Sequence, residues 1–296
     1  MAETRYIERS DGTTRVERVY GDALARLLYG TQAGRFATDR WLVRPVLSKL
    51  VGLWHDTPLS RRAIAGFVRE LDVDLSEAQK ELSQFRTFND FFTRKLRPEC
   101  RPIDRRPAAL VCPADGRVLV VPELTPDLEL ALKGVRYSVR RLLAGVVDPP
   151  VFERGSALVV RLSPVDYHRF HFPDGGTADA AVDVPGRLHS VSPLALRTGF
   201  DIFGENKRAV TRLASDHFGV VAIVEVGALC VGSIVQTFQP GRVERGDEKG
   251  YFCFGGSTMV LVFERGRVRF DHDLVEHSID GLETRVLFGS SIGRAG

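Results

Sequence analysis

Residues 220–238 read VVAIVEVGALCVGSIVQTF, and this stretch decides the fold. It is dense in β-branched residues and interrupted by Gly227 and Gly232, a texture of strands and turns and not of a helix. The same texture recurs in ALVCPADGRVLVV (109–121), SALVVRL (156–162) and STMVLVFERGRVRF (257–270). Each run is short and bounded by Gly, Pro or Asp. Together they predict a β-rich catalytic domain over residues 98–296, built of mixed or antiparallel sheets in a barrel- or sandwich-like arrangement.

Upstream the pattern changes. Residues 1–97 read as mostly helical, so the fold class is α+β, with ECRPIDRRP (99–107) supplying the linker chemistry. In FRTFNDFFTRKLR (85–97), Phe85, Phe88, Phe91, Phe92 and Leu96 fall at helical spacing and Pro98 marks the stop. That spacing predicts a helix with a Phe-rich face, and such a stripe ordinarily packs on a core. Residues 23–54 carry Arg26, Arg35, Arg40, Arg44 and Lys49 against the single acid Asp39, with Trp41 and Trp54 toward the edges. A basic amphipathic segment of this kind suits an anionic membrane surface; its plainer reading is a helical layer with a solvated charged face.

Composition narrows the function classes. A 44% apolar content supports a real core, and 41 basic against 38 acidic side chains leave no whole-protein footprint for nucleic acid. Cys100, Cys112, Cys230 and Cys253 form no C-x-x-C pair, which argues against a zinc knuckle or a disulfide framework and for a reducing compartment. The N-terminus has no apolar stretch of signal-peptide length, and nowhere do 18 apolar residues run together.

Three stretches concentrate reactive groups: CPADGRV around Asp115, DYHRFHFPDGG with His168 and His171, and KGYFCFGGST (249–258) with Ser257. Asp, His and Ser are the parts of a base-activated nucleophile, in which an acid orients an imidazole that takes the hydroxyl proton. Each also has an ordinary structural reading. Ala114-Asp115-Gly116 is a good turn, Gly255-Gly256 a good bend, and His168 and His171 fall on opposite faces of a strand or one face of a helical turn, where they could ligate a metal.

Taken with their flanks, the motifs resemble one family. TFNDFFTRKLRP, RPID, VCPADGRV, KGVRYSVRRLLAG, DYHRFHFP, VEVGALCVGSIVQTF and EKGYFCFGGSTMVLVFERG occur in that order, between about residues 85 and 270, as they do in phosphatidylserine decarboxylases. The resemblance implies a self-processing proenzyme. Ser257 Oγ would attack the Gly256 carbonyl, and β-elimination from the ester would leave a pyruvoyl group as the covalent cofactor, with a β chain of residues 1–256 and an α chain of 257–296 held together as a heterodimer. In that scheme His171 takes the Ser257 proton, Asp115 orients His171, and His168 is the general acid after carbon dioxide leaves. No metal is implied.

The same resemblance implies a Schiff base to phosphatidylserine, with phosphatidylethanolamine and carbon dioxide as products. It implies a peripheral protein on the cytoplasmic face of the cell membrane, touching lipid through the basic segment and the Phe-rich helix; homo-oligomer formation stays open. Two residues depart from the family pattern, Cys230 where Asn is common and Lys207 where an acid is usual, and both bear on substrate fit and not on cleavage. Two competing readings are a metal-dependent hydrolase using His168, His171 and Asp115, and a membrane-surface scaffold without catalysis.

Overall fold

The computed structural model describes residues 4–17, 27–38, 40, 43, 45–132, 134–191, 195, 200–229, 233–255 and 257–296. The strands in chain order are β1 (Arg5–Glu8), β2 (Thr14–Val16), β3 (Ala109–Val111), β4 (Gly116–Val121), β5 (Glu129–Leu132), β6 (Val135–Ser138), β7 (Ser156–Leu162), β8 (Arg169–His171), β9 (Gly176–Ala178) and β10 (Val182–Val184). They continue with β11 (Arg208–Ser215), β12 (Gly219–Gly227), β13 (Ile234–Gln236), β14 (Gly241–Val243), β15 (Glu248–Phe252), β16 (Ser257–Phe263), β17 (Val268–Phe270), β18 (Glu283–Val286) and β19 (Ser291–Ala295).

An open sheet of eleven strands runs β14-β9-β11-β12-β16-β7-β4-β18-β1-β2, with β10 also paired to β11. It does not close into a barrel, and its pairs are antiparallel except β1 with β18. β16 lies at its middle and is buried along its whole length, as is β7 beside it. That is why both carry a central apolar run, ALVV in β7 and MVLVF in β16, and not an alternation. A smaller sheet, β13-β15-β8, stands beside the first and carries the segment that leads into β16.

The expectation of helix through residues 1–97 is corrected at its start. β1 and β2 form a hairpin on the edge of the main sheet, turned at Asp11-Gly12, where Gly12 has φ +69° and the Asp11 carboxylate accepts from the Thr13 N–H. An Asp-Gly turn between short runs is a hairpin signal, but three- and four-residue strands give periodicity little to act on. The Phe-rich helix is also shorter than the spacing predicts. It spans Phe88–Phe92, begins where the Thr87 side chain accepts from the Asp90 N–H, and ends at Thr93, whose hydroxyl donates to the Asn89 carbonyl.

Phe85, Phe88, Phe91 and Phe92 are all buried, in a cluster with Ile64, Phe67 and Leu71. A lipid contact by this face is therefore corrected: the rings form a core shared with Val165 and Phe254 of the β-rich part of the chain. Exposed apolar groups upstream include Leu27 and Phe36 and, on the helix Pro45–His55 and just after it, Leu50 (59%), Leu53 (56%), Trp54 (49%) and Leu59 (63%). Leu50, Leu53 and Trp54 share one helical face by their spacing. Arg26, Asp39, Trp41 and Arg44 of the basic segment lie outside the described residues, as do the side chains of Arg35 and Lys49. Among the described residues no helix is long and apolar enough to cross a membrane.

Candidate active site

Ser257 opens β16, opposite Gly227 of β12 and Leu162 of β7, and is fully buried. The chain leaving β7 turns through Ser163–Tyr167 and returns with His168 just before β8. That loop is tied by its own groups: the Asp166 carboxylate accepts from the Ser163 N–H at 2.7 Å, and the Ser163 carbonyl accepts from the Asp166 N–H at 2.9 Å. Because Leu162 pairs with Ser257, the loop delivers His168 directly to the serine.

His168 Nδ1 lies 3.4 Å from Ser257 Oγ, and His168 Nε2 lies 3.0 Å from the Ser163 carbonyl. A carbonyl oxygen can only accept, so Nε2 carries the hydrogen and Nδ1 presents a lone pair to the serine hydroxyl. Phe92 stacks on the imidazole at 3.9 Å between centroids. Burial pushes the imidazole down to about 3, with the Arg94 charge acting in the same direction and Asp166 opposing. The ring is thus neutral at physiological pH, as an acceptor of the hydroxyl proton must be.

The main chain of His168 also matters. Its carbonyl accepts from the Phe252 N–H at 2.9 Å, so His168 holds both the last residue of β15 and the first of β16. Only residues 253–256 lie between, and they carry the chain from one sheet to the other. Gly255 has φ +136°, a conformation closed to residues with a Cβ, and Gly256 lies outside the described residues.

Asp115 and His171 form a second cluster. Asp115 is buried on the turn before β4 and accepts from Arg101 Nε at 2.9 Å, Arg101 Nη2 at 2.6 Å and the Phe288 N–H at 2.8 Å. Burial pushes its carboxyl up, and Arg101 and the Phe288 N–H oppose that. Gly116 beside it has no room for a side chain: a Cβ would stand 2.8 Å from the Arg161 carbonyl oxygen. His171 stacks on Phe288 at 3.6 Å, and its Nδ1 lies 3.4 Å from the Pro113 carbonyl. Burial lowers its imidazole to about 4.

Phe288 and the Pro113–Asp115 turn therefore join Asp115 to His171, while among the described residues no hydrogen bond links the two side chains directly. The imidazole that meets Ser257 is His168. Among the described residues no group of three His, Cys, Asp or Glu side chains is placed to hold a metal ion. Lys207, which departs from the family pattern, receives the Gly227 N–H on its carbonyl, and so supports the residue opposite Ser257; Cys230 lies outside the described residues.

A family model for phosphatidylserine decarboxylase matches residues 88–294, which include every residue of this site. The chain belongs to the phosphatidylserine decarboxylase family. Relatives named phosphatidylserine decarboxylase proenzyme include one from Desulfitobacterium hafniense strain Y51, 41% identical over 98% of this chain and 97% of its own length. Another, from Chlamydia felis, is 42% identical over 100% of this chain and 99% of its own. A third, from Clostridium perfringens strain SM101, is 42% identical over 94% and 95%. As a member of this decarboxylase family the chain is an enzyme of the carboxy-lyase class, and the likeness runs along nearly its whole length.

Two groups at the site escaped the sequence reading. Asn89 sits inside the phenylalanine stripe, and its side-chain oxygen accepts from the Phe254 N–H at 3.0 Å. Arg94 is buried with its Nη2 on the Val165 carbonyl at 2.9 Å. The signal for Asn89 was available, since a polar residue within an apolar stripe asks for a partner.

Proposed function

We propose that the chain is made as a proenzyme, cuts itself between Gly256 and Ser257, and then converts phosphatidylserine to phosphatidylethanolamine and carbon dioxide. The observation that carries this reading is the contact of Ser257 Oγ with His168 Nδ1 at 3.4 Å, with both residues fully buried. A neutral imidazole accepts the hydroxyl proton as Oγ attacks the Gly256 carbonyl carbon. The C–N bond breaks, the acyl group moves to oxygen, and the Ser257 amine is freed. Loss of the Ser257 Cα hydrogen then breaks the Cβ–O bond and releases the Gly256 carboxylate; addition of water and loss of ammonia convert residue 257 to a pyruvoyl group.

The residues present fit that group. A buried hydroxyl faces an acceptor, and the adjacent Thr258 hydroxyl is buried with no hydrogen-bond partner among the described residues. Once formed, the pyruvoyl carbonyl supplies the electron sink for loss of carbon dioxide. His168, already against residue 257, is then placed to give a proton to the carbon that has lost carbon dioxide.

This assigns the first proton transfer to His168, where the family resemblance gives it to His171 with Asp115. The His171 reading keeps one observation in its favour: His171 and Asp115 meet on Phe288 and the Pro113 turn, so the two residues it pairs do share one buried cluster. The exposed face at Leu50, Leu53 and Trp54 is the proposed membrane contact of a peripheral protein on the cytoplasmic face, residues 1–97 supplying that contact and residues 98–296 the catalysis. The two products of cleavage, 1–256 and 257–296, stay together as a heterodimer.

Denaturing mass spectrometry tests the scheme. Fragments 1–256 and 257–296, the second beginning with a pyruvoyl group, are expected; one chain of full mass overturns it. In His168→Ala no cleavage is expected, whereas an uncut His171→Ala beside a cut His168→Ala would return the base to His171.

A further inference from the structure

The turn that is to be cut is gripped from the helical layer. The Phe254 N–H donates to Asn89 Oδ1 at 3.0 Å, and Asn89 Nδ2 donates to Asp56 Oδ1 at 2.7 Å. Because a carboxylate can only accept, Asp56 forces the amide to turn its oxygen toward Phe254. The Phe254 ring enters a nest of four rings, with centroids at 4.3 Å to His55, 4.9 Å to Phe88, 5.2 Å to Phe92 and 6.4 Å to Phe67. Phe92 in turn stacks on His168. The same aromatic cluster thus holds the third residue before the scissile bond and the imidazole on the other side of it.

Holding both ends has a chemical purpose. Attack by Oγ on the carbonyl one residue back requires the peptide to sit in a narrow range of distance and angle, and a four-residue turn between two sheets does not adopt it unaided. Asn89 is buried, and among the described residues its side chain bonds Phe254, Asp56 and Gly52, with no hydrogen bond to Ser257 or His168. We infer that Asn89, oriented by Asp56, is a positioning residue for self-cleavage: it fixes the Phe254 backbone so that the Gly256 carbonyl is presented to Ser257.

This inference rests on the self-cleavage reading and adds a device to it. Once the bond is broken the turn no longer has to be held for attack, so Asn89 matters for the cut and little for later turnover. A purely structural role would instead lower stability and both activities together.

The test follows cleavage by mass spectrometry from the time of synthesis, alongside thermal melting and the decarboxylation rate per cut chain. Asn89→Ala is expected to slow cleavage at least about tenfold, the effect of one lost buried hydrogen bond, with turnover per cut chain within about threefold of the native value. Equal loss of cleavage and turnover, or cleavage at the native rate, overturns the inference. Asp56 is exposed, so its variants keep the question open to test if Asn89→Ala does not fold. Asp56→Ala, which leaves Asn89 Nδ2 only the 3.5 Å contact with the Gly52 carbonyl and so loosens the amide, is expected to slow cleavage about three- to tenfold, and Asp56→Asn, which keeps an acceptor, to restore it. Equal rates in these two variants overturn the inference. A native chain that is never cut overturns the self-cleavage reading itself, an outcome distinct from a cut native chain with unaffected Asn89 and Asp56 variants.

Discussion

Asp115 and Arg101 meet in a two-pronged ion pair inside the protein, Nε and Nη2 donating to the two carboxylate oxygens at 2.9 and 2.6 Å. The outer edge of the same guanidinium holds Glu77, and Asp115 also takes the Phe288 N–H. Removing the carboxylate leaves a buried cation half paired and a backbone donor without an acceptor. Asp115→Ala is therefore expected to destabilise the fold by about 3–5 kcal/mol. Chemical denaturation in a Ser257→Ala background, where every variant is the same uncut chain, measures it.

The two histidines set an acid limit. Both are held below their ordinary value of 6.5, His168 to about 3 and His171 to about 4, because burial disfavours the charged ring. In the unfolded chain each would take up a proton near pH 6.5. Stability is thus fully present above pH 6.5 and falls as pH drops toward 4, the range in which the unfolded state binds more protons. The expected loss is about 2 kcal/mol per histidine by pH 5. His171→Asn should flatten the slope of stability against pH between 6.5 and 4; an unchanged slope would contradict the burial argument.

Lys249 and Glu225 are both fully buried, with Nζ 2.9 Å from Glu225 Oε1 and 2.9 Å from Gln236 Oε1, and the Phe238 ring 5.0 Å away. Lys249 occupies the irregularity where β15 slips in register against β8, which turns its side chain inward. Lys249→Met alone is expected to cost about 3–5 kcal/mol by stranding the carboxylate, and adding Glu225→Leu to recover most of it. Melting curves of the single and double variants decide this.

The exposed face of the helix Pro45–His55 is expected to govern lipid association. Replacing Leu50, Leu53 and Trp54 together by Ser should lower partitioning onto anionic vesicles by about 100-fold or more, given the free energy of burying three large apolar side chains. Melting in the absence of vesicles should be unchanged, since these side chains already face solvent. Vesicle sedimentation measures the partition, and equal binding by native and triple variant would move the membrane contact elsewhere.

How far the sequence was legible depended on the range of the interactions. β7, β12 and β16 could be read because a central strand buried on both faces writes itself as a continuous β-branched run. Asp115, His168, His171 and Ser257 were singled out through the flanking motifs that carry the family resemblance; alone, each stretch reads as an ordinary turn or strand end. The grip on Phe254 could not be read, because its two partners are 165 residues apart in the chain and neither stretch looks incomplete alone. The helix at Phe88 was read too long for a related reason. Leu96 keeps the apolar spacing but is buried after the backbone has left the helix, where residue 96 bridges to Ala78. Periodicity reports which side chains are buried, and it does not say by what backbone.

The place of β16 forces an order of events. The strand is laid between β12 and β7 along seven residues on each side, and Ser257 is its first residue. Cleavage there would turn the middle strand of the sheet into the leading segment of a separate chain, while the larger piece, without it, would expose the two facing edges of β12 and β7. Folding must therefore come first and cutting second. A cut molecule that was then unfolded would have to rebuild its sheet from two chains meeting at low concentration. The fold would serve as a template used once, and what it leaves behind is held together by the memory of a connection it no longer has.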